Sequence, residues 1–450
     1  MNKAIVSIVR YARPFASVQE SVALCHGLQD LPTRARVLIK PNIVFWTPKV
    51  VFPKWGVITT SRLVEDMVIL LKDSGAASIS IVEGIVTRDP KDKHTAAHAF
   101  EYLGYATLGK RYGVHFHNLM DRPFTRVDLG DDLQLRMNRD VLESDFVVNL
   151  PCLKTHHQTV VSLGIKNLKG LLDISSRKRC HQTHPGRDLD SMIARLPERM
   201  PPMFTLIDGI FSLERGPAFD GKMHRSDCLL ASPDILSADL VGARALGYDP
   251  RQVPHLVHAA NNCGRAPDLS QLTLTGEPLE SVTRFHEHTI SYHADAEGEM
   301  PLPLARDGIK GLFYRKFDQS LCTYCSGLNG LILAAIRFAW KGRPWNRVEV
   351  LTGKTMEPSP GMNATILVGQ CMVKAHQNDP RIKTMLPVRG CPPDPMEAVQ
   401  ALHQAGITVD AELFQKADEL PGFFWKRYAD RPEFDESFFR IHSPEPRERV

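Results

Sequence analysis

Along the first 250 or so residues, short apolar, β-branched runs alternate with stretches whose apolar positions recur at helical spacing. Ala4 to Val9 predicts a first strand. RVLIKPN (Arg36 to Asn42) predicts a second, ending in a polar turn. In SRLVEDMVILLKDSG, Leu63, Met67, Leu70 and Leu71 share one helical face, and Gly75 marks the stop. SISIVEG (Ser78 to Gly84) predicts the next strand, with a helix to follow near Ala96 to Leu103. SDFVVNLP (Ser144 to Pro151), MFTLIDG (Met203 to Gly209) and CLLAS (Cys228 to Ser232) predict further strands, and SADLVGARALG a helix closed by Gly247. This alternation predicts an α/β fold with a largely parallel sheet.

Past residue 260 the signal thins. Residues 1–260 read as the α/β domain, 261–315 as a linker or lid, and 316–405 as a smaller α/β domain bearing cysteines. Residues 406–450, rich in charge, Phe and Pro, read as a docking tail without catalytic content. In the smaller domain, RVEVLTG and ATILVG predict strands. DQSLCTYCSGLNGLILAAIRFAW predicts a loop running into a helix, and CPPDPMEAVQALHQAG another.

Polar residues follow several strands of the first domain: Lys40-Pro41-Asn42, Glu83-Gly84, Lys154-Thr155-His156 and Asp208-Gly209. Ligands of open parallel sheets bind at the carboxyl ends of strands, so one shared site is expected there. Lysines and amides beside glycine-softened backbone suit a carboxylate or phosphate. Lys40, Asn42, Lys166 and Asn167 are therefore the expected substrate-binding residues. His156, which titrates near neutrality, is the expected proton carrier, with Lys154 beside it and Asp208 orienting a lysine or a metal. His157, its neighbour in an extended segment, is expected to face the other way. Asp239 is a weaker carboxylate candidate. His286, His288 and His293 fall in a polar stretch and read as loop histidines rather than as a metal set.

Four cysteines cluster late: Cys322 and Cys325 in LCTYC, Cys371 in VGQCM and Cys391 in RGCPP. The last two follow strand-plus-glycine signals, and the first pair precedes a helix. A redox dithiol would need only the first pair. A structural zinc site usually carries two C-x2-C pairs. One pair plus two isolated cysteines, the last followed by proline, points instead to one [4Fe-4S] cluster. Cys25, Cys152, Cys180, Cys228 and Cys263 are scattered and read as small apolar residues.

The composition narrows the classes. The chain has 450 residues, 43% hydrophobic and 24% charged, with a net charge of +4. No basic face for nucleic acid is indicated; the one dense basic run, Ser176-Arg177-Lys178-Arg179, reads as a solvated loop. The most apolar window, Leu328 to Trp340, is interrupted by Arg337 and falls short of the roughly 20 residues a span needs, so no membrane partner is expected. The N-terminus lacks a signal core, and the cytoplasm is the expected compartment.

VLIKPN, IVEG, LPCLKTH, GIKNLKG, LIDGI, RGPAFDG and SADLVGARALGYDP, in that order over about residues 36 to 250, resemble the domain of unknown function 362 family. The resemblance implies an α/β domain often joined to a ferredoxin-type cluster module. This chain departs from it in lacking a compact C-x2-C-x2-C-x3-C run; its cysteines spread over about 70 residues. The domain is also remotely similar in fold to the N-terminal part of nickel-pincer lactate racemases. The expected function is an iron–sulfur redox enzyme acting on a small anion, with a redox partner protein. The alternatives are an isomerase or lyase with a structural cluster or zinc, and an electron-transfer or cluster carrier without substrate chemistry.

Overall fold

The computed structural model describes residues 3–87, 89, 91–315 and 318–441. The chain divides into two compact units: residues 1–176, 190–288 and 421–450 form the larger, and 177–189 with 289–420 the smaller.

The larger unit carries β1 (Ala4–Arg10), β2 (Arg36–Lys40), β3 (Ser78–Glu83), β4 (His115–Asn118), β5 (Phe124–Asp128), β6 (Gln134–Asn138), β7 (Phe146–Asn149), β8 (Cys152–His156), β9 (Val160–Ser162), β10 (Met203–Glu214), β11 (Lys222–Ser232) and β12 (Leu272–Gly276). The main sheet runs β12-β1-β11-β10-β7-β2-β3-β4, with β8 on β10 and β9 on β8. Pairing is parallel along β10-β7-β2-β3-β4 and at β1-β12. It is antiparallel where β11 sits between β1 and β10, so the sheet is mixed but largely parallel. β5 and β6 form a separate antiparallel pair.

The helix Ser61–Asp73 shows why the pattern was readable. Its Leu63, Val64, Met67, Val68 and Leu71 are fully buried against the sheet core.

Three expectations are corrected. Asp208 is not at a strand end: β10 continues to Glu214 because β11 pairs along it, with an irregularity between Gly209 and Phe211. Lys154, Thr155 and His156 are not a loop either; they form β8, which adds to β10 beyond the point where β7 leaves it. The C-terminal segment is no loose appendage. Trp425 stacks on Trp55 at 5.0 Å, and Tyr428, Phe434 and Phe439 are buried in the larger unit's core.

The smaller unit holds β13 (Tyr292–Asp295), β14 (Gly298–Pro301), β15 (Leu312–Phe313), β16 (Val348–Leu351), β17 (Ala364–Val368) and β18 (Met385–Val388) in one sheet, in sequence order. All neighbours from β14 to β18 are parallel. The segment expected as a linker or lid is thus structured: Leu272–Gly276 is an edge strand of the larger unit, and Tyr292–Pro301 is a hairpin of the smaller.

Candidate functional site

In the larger unit, the strand ends of β2, β3 and β7 lie side by side, and Lys40 is in register with Asn149. Lys40 Nζ donates to Glu83 Oε1 and Oε2 at 2.9 and 3.0 Å, to Pro41 O at 2.8 Å and to Asn167 Oδ1 at 3.1 Å. Asn42 Nδ2 donates to the same Asn167 oxygen at 3.0 Å, and Asn167 Nδ2 to Asn149 Oδ1 at 2.8 Å. Gly170 passes over the pair so closely that a Cβ there would lie 2.9 Å from Lys40 Cε and 3.1 Å from Glu83 Oε1.

Lys154 comes from β8 and reaches Asn42 Oδ1 at 2.5 Å, Val57 O at 3.1 Å and Pro217 O at 3.4 Å. Burial without a carboxylate partner of its own pushes its pKa down to about 8. Lys40, Asn42, Lys154 and Asn167 thus lie in one hydrogen-bonded group. Their donors, however, are spent largely on one another, on Glu83 and on carbonyl oxygens.

Asp208 faces elsewhere. Its Oδ2 accepts from Thr60 N and Oγ1 at 2.7 and 2.9 Å, and its Oδ1 from Ile210 N at 3.2 Å, with no lysine or metal oriented by it among these contacts. Burial pushes its pKa up to about 6. Asp239 accepts from Gly164 N and Ile165 N at 2.7 and 2.8 Å, opening the short helix that carries Lys166 and Asn167.

His156 Nδ1 accepts from Gln158 N at 3.1 Å, and its Nε2 lies 3.3 Å from Lys166 Nζ. His157 does not face away; the two rings stack at 4.8 Å. His255 escaped the sequence reading. It is fully buried, neither ring nitrogen has a hydrogen-bond partner, and Nδ1 lies 3.5 Å from Asp190 Oδ1. Burial pushes its pKa down, and the Lys166 charge lowers it further. A histidine at the second position of a helix that opens with proline carries no sequence signal for this. His286, His288 and His293 form no common site: they bond separately to Ser212, Tyr248 and Asp295.

The smaller unit contains the cysteines. Cys322 caps the helix Thr323–Ala339, and Cys325 lies in its first turn. The loop before them is fastened to the carboxyl end of β16: Asp318 accepts from Ser320 N at 2.6 Å and Thr355 N at 3.0 Å, and Lys354 N donates to Ser320 Oγ at 2.8 Å. Gly369, which follows β17, sits against Cys325; a Cβ there would lie 2.8 Å from its sulfur. Gln370 N donates to Gly390 O at 3.1 Å, tying the loop of Cys371 to that of Cys391. A hydrogen bond between Cys322 and Cys325 holds the Cys322 thiol down, and the Lys354 ammonium adds to this. The same bond raises Cys325, and the Cys371 and Cys391 sulfurs are near enough to raise it further. The loops that follow β17 and β18 thus bring the Cys371 and Cys391 sulfurs near Cys325 at the start of the helix Thr323–Ala339, with Cys371 and Cys391 exposed.

The described side chains whose donor atoms lie mutually within 4.8 Å are Glu357, His376 and Asp379, also in the smaller unit. Arg381 bonds both carboxylates and His376 bonds Met356 O and Asp379, so this is an ion-pair cluster.

Residues 37–244 match the family described as Domain of unknown function (DUF362). A thylakoid-associated protein of Synechocystis sp. is 30% identical over 152 residues, covering 33% of this chain and 47% of that protein. The match thus spans about half the length of this curated relative. A Thermotoga maritima protein of known structure shares 13% identity at a TM-score of 0.26, over 47% of this chain and 55% of that one. The lactate racemase apoprotein of Thermoanaerobacterium thermosaccharolyticum shares 14% identity at a TM-score of 0.32, over 54% and 56%. The ordered motifs read in the sequence fall in the same stretch as the family match, residues 37–244.

Proposed function

We propose that this chain is an iron–sulfur protein: Cys322, Cys325, Cys371 and Cys391 hold one [4Fe-4S] cluster in the smaller unit, and the larger unit binds a small carboxylate or phosphate for a redox reaction. The observation that supports this reading is that the loop after β17, which carries Cys371, and the loop after β18, which carries Cys391, meet at the start of the helix Thr323–Ala339, which carries Cys322 and Cys325. The donor set fits. Thiolates are the ligands such clusters take, and both the Lys354 charge and the helix N-terminus favour the ionised sulfur that a metal requires.

A bound cluster supplies one-electron transfer. The larger unit's own residues bind and protonate: Lys166, half-buried beside His156, meets the anion, and His156 moves the proton. Lys40, Asn42, Lys154 and Asn167 hold the frame, since their contacts are already internal. Asp208 fastens the N-terminus of the helix Ser61–Asp73. The nine cysteines are free thiols. No helix among the described residues is long and apolar enough to cross a membrane.

Purification without oxygen tests the cluster. About four iron atoms per chain, with visible absorption that bleaches on reduction, supports it; colourless protein with one zinc overturns it. The internal satisfaction of Lys40 and Lys154 favours a second reading, an electron carrier without substrate chemistry. Calorimetric titration with phosphate and oxalate separates the two, because a carrier binds neither in the larger unit.

A further inference from the structure

The basic run that the sequence leaves as a solvated loop lies in the same compact unit as the cysteines. Lys178 Nζ sits 4.8 Å from the centre of the Tyr324 ring, and Tyr324 stands between Cys322 and Cys325 in the chain. The charges of Lys178 and Arg177 both reach its phenol. Lys354, whose backbone N donates to Ser320 Oγ in the loop before Cys322, is close enough to act on Cys322, with its ammonium bonded to His181 O. Cys371 and Lys374 are three residues apart on the helix Gln370–His376 and so share a face, with Lys374 exposed. Arg389, also exposed, precedes Cys391 by two residues.

Each cysteine-bearing loop therefore has a cation beside it. The acids on these loops serve the backbone: Asp318 accepts from Ser320 N and Thr355 N, Asp394 from Met396 N at 2.7 Å and Glu397 from Arg389 N at 2.6 Å. Cys371 and Cys391 are exposed, on loops tied by the hydrogen bond from Gln370 N to Gly390 O, so whatever the thiols hold is open to a partner.

We propose that Arg177, Lys178, Lys354, Lys374 and Arg389 form a docking rim around the four-cysteine centre for an acidic electron-carrier protein. The proposal rests on the iron–sulfur reading for its purpose and on charge complementarity for its partner. A rim of cations around an exposed centre suits a protein that must dock, exchange and leave. A small anion held for chemistry would be enclosed.

The test is calorimetric titration of the full chain with an acidic plant-type ferredoxin, and with basic cytochrome c as the opposite-charge comparator, at about 20 and about 200 mM salt, across which the screening length falls severalfold. Ferredoxin binds at low salt and loses about tenfold in affinity at high salt, while cytochrome c does not bind. Lys178→Glu and Arg389→Glu each weaken ferredoxin binding about tenfold; Arg389 is exposed, so its variant folds even if the stacked Lys178 proves structural. Equal binding of both carriers, or wild-type binding by both variants, overturns the proposal. So does displacement of ferredoxin by inorganic phosphate beyond that by chloride at equal ionic strength, which marks a small-anion site. Iron is assayed in the same samples. Iron without ferredoxin binding removes the docking rim alone; ferredoxin binding without iron removes the cluster reading alone.

Discussion

Lys40 and Glu83 end neighbouring parallel strands and face each other in a sealed pair, the ammonium 2.9 Å from the carboxylate and the two side chains 1% and 4% exposed. Ile43 N and Gly84 N, both at 2.7 Å, satisfy the remaining carboxylate lone pairs. Such a pair is tolerated in a core because its hydrogen bonds are complete, and removing one member leaves a buried charge unmatched. Glu83→Gln is expected to lower unfolding free energy by about 3–5 kcal/mol in urea denaturation. Lys40→Met with Glu83→Gln recovers much of that loss. A double variant as unstable as the sum of its singles would show that the two residues act independently.

Gly170 tests the same packing from above. Gly170→Ala places a methyl within 2.9–3.1 Å of Lys40 and Glu83. It should cost about 1–3 kcal/mol, read as a lowered denaturation midpoint with unchanged slope. An unchanged midpoint would mean that the pair yields easily.

The buried carboxyls set a pH dependence. Burial raises Asp208 and Asp66 to about 6 and Asp239 to about 7, from a usual value of 3.8. In this window the folded chain holds protons that the unfolded chain releases. Their contribution to stability is therefore fully present below about pH 4 and is lost as pH rises through 6 to 7. For Asp208 alone the shift of about two units corresponds to about 3 kcal/mol. Asp208→Asn should flatten the fall in stability between about pH 4 and 7. A variant that keeps the wild-type slope rules out Asp208 as a source of it.

The C-terminal segment is part of the core. Phe439 is fully buried and lies 6.4 Å from Phe211, centre to centre, among the larger unit's aromatic residues. Phe439→Ala is expected to cost about 3–5 kcal/mol, whereas Phe423→Ala, at a residue 60% exposed, changes stability little. Thermal melts of the two variants decide it, and equal melting temperatures would return the segment to the status of a tail.

Cys391→Ser should remove iron from anaerobically purified protein without lowering the larger unit's stability. Cys263→Ser, in an exposed cysteine of the larger unit, should leave iron at the wild-type level. Loss of iron in both variants, or in neither, would remove the four-cysteine assignment.

Much of the fold was legible because the local signal was strong. The strands at Ala4, Arg36, Ser78 and Phe146 and the helix at Ser61 are spelled by apolar periodicity, which burial on one or both faces imposes. Asp208 was misplaced because a glycine within an apolar run reads as an end; β11, pairing from Lys222 onward, carries β10 through it. The tail was misjudged for a related reason. Phe and Trp spaced among charges resemble a docking segment until the surface they cover is known, and Trp55 lies far away in sequence.

What the chain by itself determined is therefore local: which segments are strands and helices, which residues carry charge, and which late cysteines stand after strands. Tertiary structure decided the partnerships. It closed Glu83 over Lys40, drew Lys178 onto Tyr324 beside the cysteines and left His255 buried without a hydrogen bond. Periodicity reports one segment's environment averaged over a face, whereas a charge's role depends on atoms a few ångströms away that arrive from distant parts of the chain.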